Sequence, residues 1–97
     1  MKLLWSGNAW EDYLYWQDSD RDVLRRITSL LHDIGRSPFS SPFKGIGKPE
    51  PLRGDLAGWW SRRITGDHRI IYRALGGNDR DRRIEIAACR YHYSRRG

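Results

Sequence analysis

At 97 residues and 38% hydrophobic content, with five Trp, five Tyr and two Phe, the chain is sized for a single domain, residues 1–97, around a core of bulky rings. One cysteine, Cys89, excludes an intramolecular disulfide and a thiolate metal cluster, and no long uncharged apolar run is present to span a membrane. The net charge of +6 is uneven: residues 1–40 hold five Lys/Arg against six Asp/Glu, residues 41–97 thirteen against six, so the second half is the part suited to a polyanion.

Met1–Trp5 reads as a short edge strand and lacks the extended apolar segment of a signal peptide, so a cytoplasmic protein with no membrane attachment is expected. A first helix follows, with Asn8 and Glu11 in capping-box spacing and Trp10, Tyr13 and Leu14 on one side. Asp18-Ser19-Asp20 breaks it and caps a second helix. There Val23, Leu24, Ile27, Leu30, Leu31 and Ile34 form an i, i+3, i+4, i+7 stripe ended by Gly35. The short link between them predicts antiparallel helices.

From Ser37 to Gly58 periodicity is lost, all four prolines occur, and the triplet Ser-Pro-Phe repeats at 37–39 and 41–43. So long a loop in so small a domain is more often functional than idle. Strands are then predicted over Trp59–Thr65, His68–Leu75 and Arg82–Tyr93, with hairpin turns at Gly66-Asp67 and Gly76–Asp79. The expected architecture is α+β: two N-terminal helices packed on one face of a small antiparallel sheet, its other face open to a ligand.

The last strand ends Ala87-Ala88-Cys89-Arg90-Tyr91-His92-Tyr93. Four consecutive residues there supply an imidazole, a guanidinium and two phenols. Arg can hold a phosphate, His can move a proton near neutral pH, and Tyr can stack on a base. Together with the basic half, this cluster points to RNA.

Several segments in order carry a family likeness. Lys48-Pro49-Glu50-Pro51-Leu52, Leu56-Ala57-Gly58-Trp59-Trp60-Ser61-Arg62-Arg63-Ile64, His68-Arg69-Ile70-Ile71-Tyr72 and the Ala87–Tyr93 ending closely resemble the YoeB toxins, RelE-like toxins of bacterial type II toxin–antitoxin systems. The opening Met1–Ser6 and Tyr13–Gln17 resemble the same family. The resemblance implies a microbial-ribonuclease-like fold and a ribosome-dependent endonuclease that cleaves mRNA in the decoding site. It also implies a cognate antitoxin and a homodimer. By the same resemblance the catalytic residues are Glu50, Arg69, His92 and Tyr93, with Arg63 on the active-site surface. The chain departs from the family in a longer loop before Gly45, an insertion around Asp79–Arg83 and a tail, Ser94–Gly97.

The chemistry of those residues suits metal-free RNA cleavage. A base must take the 2′-OH proton, an acid must protonate the leaving 5′-oxygen, and positive charge must meet the phosphorane. Glu50, between two prolines, is the base candidate and His92 the acid. Arg69 can clamp the non-bridging oxygens and Tyr93 can orient a nucleotide. Lys48, Arg53, Arg62, Arg63, Arg90 and Tyr91 are the expected RNA-binding residues. No metal site and no cofactor are expected, since the three histidines lie outside any ligand-spaced cluster.

Each residue taken singly has a plainer reading. Glu50 is then a solvated loop acid, Arg69 an exposed strand residue and His92 a surface residue at a strand end. His32 and His68 are read as structural, Trp59 and Trp60 as packing on opposite faces, and Cys89 as a small buried residue. The alternative function is a basic RNA- or ribosome-binding domain that blocks translation by occupancy. Glu50 and His92 separate the two, because occupancy needs neither.

Overall fold

The computed structural model describes residues 2–36, 42–78 and 80–91. In chain order these form β1 (Lys2–Trp5), α1 (Gly7–Ser19), α2 (Arg21–Arg36), β2 (Glu50–Pro51), a 3₁₀ turn (Gly54–Leu56), β3 (Trp60–Arg63), β4 (Arg69–Leu75) and β5 (Arg83–Ala88). The strands make one five-stranded sheet in the order β1-β5-β4-β3-β2.

The α+β class holds, with one correction to the sheet. Strands β2 to β5 form an antiparallel meander, but β1 pairs parallel with β5, Lys2 opposite Arg83 and Trp5 opposite Ile86. These two strands are joined only through everything between them, so no tight turn forces them antiparallel.

Both helices cover one face. The α2 stripe Val23, Ile27, Leu30, Leu31 and Ile34 is buried with Ile64, Ile70, Tyr72, Ile84 and Ile86 of the sheet side. Asp20 caps α2 as expected, its Oδ1 accepting from Asp22 N at 3.0 Å and Val23 N at 3.2 Å. The cap of α1 is Ser6 rather than Asn8: Ser6 Oγ accepts from Ala9 N at 3.0 Å and donates to Ala87 O at 2.9 Å, tying helix start to β5. The opposite face carries a smaller cluster, Leu52, Ile71 and Ala88, edged by Leu56 and Trp59. Trp60 packs with the helices instead, so the two tryptophans do part to opposite faces.

Arg62 points toward the helices and is 2% exposed. Its Nε donates to Tyr72 Oη at 3.0 Å and its Nη1 to Asp33 Oδ2 on α2 at 2.5 Å. Nη1 also reaches Ile46 O at 3.2 Å and Nη2 Lys44 O at 3.5 Å. Asp33 Oδ2 in turn accepts from Ile46 N at 3.1 Å. The long loop is thereby laced to helix and sheet through one buried cation. Gly45 makes this possible: at φ +132°, a Cβ there would stand 2.3 Å from Asp33 Oδ2.

This corrects the expectation for Arg62 as an RNA-binding residue, because its guanidinium is enclosed and engaged by its own chain. Burial raises Tyr72's hydroxyl above its ordinary value, opposed by the Arg62 bond. At Asp33, burial pushes the carboxyl upward but is outweighed by the bonds from Arg62 and Ile46 and by the charges of Arg62 and Arg36, so it is held below the usual carboxylate range.

Asp33→Ala strips a buried cation of its counter-ion and should cost about 3–5 kcal/mol in urea unfolding. The stabilisation from Asp33 is complete above its unfolded value and is lost as pH falls through the lowered folded value. The wild type should therefore lose stability on acidification more steeply than Asp33→Asn, measured as urea midpoint against pH.

Candidate active site

Cross-strand register sets the open face. Residues directly opposite share a face, so Glu50, Ser61 and Ile71 form one row across β2, β3 and β4. Two residues along, Arg63 stands opposite Arg69. Leu52 and Ile71 belong to the apolar cluster of this face, which fixes its identity as the one away from the helices. Glu50 and Arg63 are exposed and Arg69 half-buried. Lys48, exposed at φ +52°, precedes the Glu50 strand, and Arg63 N donates to Gly47 O at 2.6 Å, closing the loop beside the arginine pair. Arg53 is exposed just beyond β2. An acid at the edge of two neighbouring cations is thus built from three adjacent strands.

The segment that precedes His92 leaves β5 by a route that sequence alone did not reveal. Ile71 pairs with Ala88 but Tyr72 with Ile86, so β5 carries a bulge at Ala87. Bulges re-aim the chain that follows them. Here Ala88 joins the open-face cluster and Cys89 turns to the helix side, fully buried. The strand predicted to run to Tyr93 ends at Ala88, and side chains take over its hydrogen bonding.

Helix α1 supplies most of them at helical spacing. Ser6 and Asn8 reach Ala87 O, the latter at 3.5 Å. Asp12, 5% exposed, accepts from Cys89 N at 3.0 Å, and Trp16 Nε1 donates to Cys89 O at 2.8 Å. Tyr15 receives the Arg90 guanidinium 3.5 Å over its ring centroid, while Arg90 also lies 4.5 Å from the Tyr91 ring centroid. Arg90 and Tyr91, both expected to bind RNA, are half-buried in these contacts with their own chain. Tyr91 O accepts from Arg69 N at 3.1 Å, which attaches the end of the described chain to the start of β4. His92 and Tyr93 follow Tyr91 directly and lie outside the described residues.

Asp12 and Trp16 were missed by sequence reasoning. The available signal was their i, i+4 spacing, which puts a carboxylate and an indole N–H on one helical side. Asp12→Ala removes the Cys89 N–H acceptor and should lower stability by about 1–3 kcal/mol while speeding amide exchange at Cys89. Unchanged exchange there would remove Asp12 from the clamp.

Among the described residues, no three His, Cys, Asp or Glu side chains gather as metal ligands, and no helix is long and apolar enough to cross a membrane. Comparison with known proteins supplies the family. Residues 5–93 match the model of the YoeB-like toxin of bacterial type II toxin–antitoxin systems. The chain is 50% identical over 93 residues to toxin YoeB of Escherichia coli K12, covering 96% of this chain and all of that one. It is 47% identical to toxin YoeB of Streptomyces coelicolor over the same length, again with 96% and 100% coverage. Among solved structures, the YoeB/ParE toxin from Agrobacterium tumefaciens superposes with a TM-score of 0.85 at 46% identity, covering 96% of this chain and 100% of that one. The YoeB dimer from Staphylococcus aureus follows with a TM-score of 0.81 at 40% identity, covering 96% and 98%. By sequence and by fold, the chain belongs to the YoeB-like toxins of bacterial type II toxin–antitoxin systems.

Proposed function

We propose that this toxin is an endoribonuclease that cuts mRNA in the decoding site of the ribosome and so inhibits translation. What carries the reading is the open-face arrangement: a solvent-facing carboxylate, Glu50, beside the Arg63–Arg69 pair, with the chain leading into His92 tied to the backbone of Arg69. Two cations and an acid on one exposed face fit a phosphodiester that must lose one proton and gain another.

The proposed steps are metal-independent. Glu50 takes the proton of the 2′-OH, and the 2′-oxygen attacks the adjacent phosphorus. Arg69, with Arg63 beside it, bonds the non-bridging oxygens as negative charge accumulates. His92 gives its proton to the departing 5′-oxygen, and Tyr93 orients the nucleotide. The products are a 2′,3′-cyclic phosphate and a 5′-hydroxyl. Lys48 and Arg53, exposed beside Glu50, are assigned to the RNA backbone, where each neutralised phosphate releases counterions. Arg90 and Tyr91 are assigned mainly to holding the site's edge.

The same reading includes partners and place. Staphylococcus aureus YoeB has been solved as a dimer and in complex with YefM. By this likeness the chain is proposed to form a homodimer and to be held by a cognate antitoxin in the cytoplasm.

A translation extract programmed with a defined mRNA, with cuts mapped by primer extension, tests the enzyme. Wild type should cleave, and Glu50→Gln or His92→Gln should each lose about 10²–10⁴-fold in rate, the usual cost of deleting a general acid or base. Full-strength arrest by both variants without cuts would establish blockade by occupancy instead.

A further inference from the structure

We propose that His68 is a positioning residue of this active site: its imidazole holds the Tyr91 peptide, the residue to which His92 is joined in sequence. This rests on the endoribonuclease reading above.

Tyr91 has φ +65°, a backbone region that residues with a Cβ rarely adopt. A conformation of this kind persists only where its surroundings over-determine it. Two consecutive residues do so. Tyr91 N donates to His68 Nδ1 at 2.7 Å, and Tyr91 O accepts from Arg69 N at 3.1 Å. Donor and acceptor of a single residue are thus both held from the start of β4, next to the arginine assigned to the phosphate. Nδ1 can accept only while it carries no proton, so the bond selects one imidazole tautomer.

His68 is itself held on several sides. Its N–H donates to Thr65 Oγ1 at 3.2 Å, and its carbonyl accepts from Ile64 N at 2.9 Å. Its ring meets Trp16 edge-on at 4.8 Å and lies 5.7 Å from the Tyr91 ring. Trp16 also bonds Cys89 O, so one indole braces both the histidine and the chain that it holds. A merely space-filling histidine needs the ring contacts but not an acceptor at Nδ1. That acceptor sets where the Tyr91 peptide lies, and small displacements of a catalytic group cost large factors in rate.

The test compares His68→Phe, which keeps a ring against Trp16 and loses the acceptor, with His68→Asn, whose Oδ1 falls near the place of Nδ1. On ribosomes programmed with a defined mRNA, His68→Phe should lower the single-turnover rate at saturation by about 10–100-fold, with the half-saturating toxin concentration unchanged. His68→Asn should recover most of that loss. In nitrogen-15 NMR the wild-type Nδ1 should resonate as an unprotonated acceptor, and the Tyr91 amide should move upfield in His68→Phe alone. Wild-type rates in His68→Phe overturn the proposal, as do equal losses in both variants, which would mean ring packing only. Should the wild type itself fail to cleave, the endoribonuclease reading falls and takes this one with it, whatever the NMR shows.

Discussion

A cation sealed under the sheet is the constraint on which the Glu50 side of the molecule depends. Taking a guanidinium out of water costs roughly several kcal/mol unless geometry and hydrogen bonds return it. Arg62 meets that demand with a carboxylate from α2, a phenol from β4 and two loop carbonyls. Because those partners come from three separate parts of the chain, the cation fixes their relative positions. The segment 44–47 is therefore determined before it reaches Lys48 and Glu50, although it contains no regular structure. Gly45 and Gly47 belong to this arrangement, since side chains there would strike Asp33, Arg62 or Leu30.

The other side of the site is held by a different device with the same logic. After its bulge, β5 loses ladder partners, and buried backbone groups must still be satisfied. Asp12 and Trp16 take the N–H and C=O of Cys89, then His68 and Arg69 take those of Tyr91. Arg90 lies over Tyr15 between these two anchored residues. Past the bulge, three side chains and one backbone N–H of β4 hold the chain. Both devices end beside the arginine pair of β3 and β4, one at Gly47, whose carbonyl accepts from Arg63 N, and the other at Tyr91, whose carbonyl accepts from Arg69 N.

What could be read from sequence follows from what is local. The α2 stripe, the Asp20 cap, the division of Trp59 from Trp60 and the burial of Cys89 all express periodicity or short-range bonding. Arg62 was misread because charge patterning assigns arginines to the surface, whereas its partner Asp33 lies 29 residues away. The parallel pairing of β1 with β5 is likewise a long-range choice. Strand β2 escaped notice because two residues, one of them proline, offer no alternation to detect. The early end of β5 depended on a bulge whose only trace is the small pair Ala87-Ala88. Of the candidate site, Glu50, Arg63 and Arg69 are brought to one face, while His92 and Tyr93 lie outside the described residues. His68 was legible as structural, but not as the partner of Tyr91, which is 23 residues away.

In the proposed reaction the RNA supplies its own nucleophile and the protein moves the protons. Its most direct test is an mRNA carrying a single 2′-deoxynucleotide immediately 5′ of the mapped scissile phosphate, presented on programmed ribosomes. The phosphate and its charge are unchanged, so binding should be retained while cleavage at that position is abolished and cuts elsewhere persist. Cleavage of the deoxy-substituted bond at the all-ribose rate would contradict the mechanism.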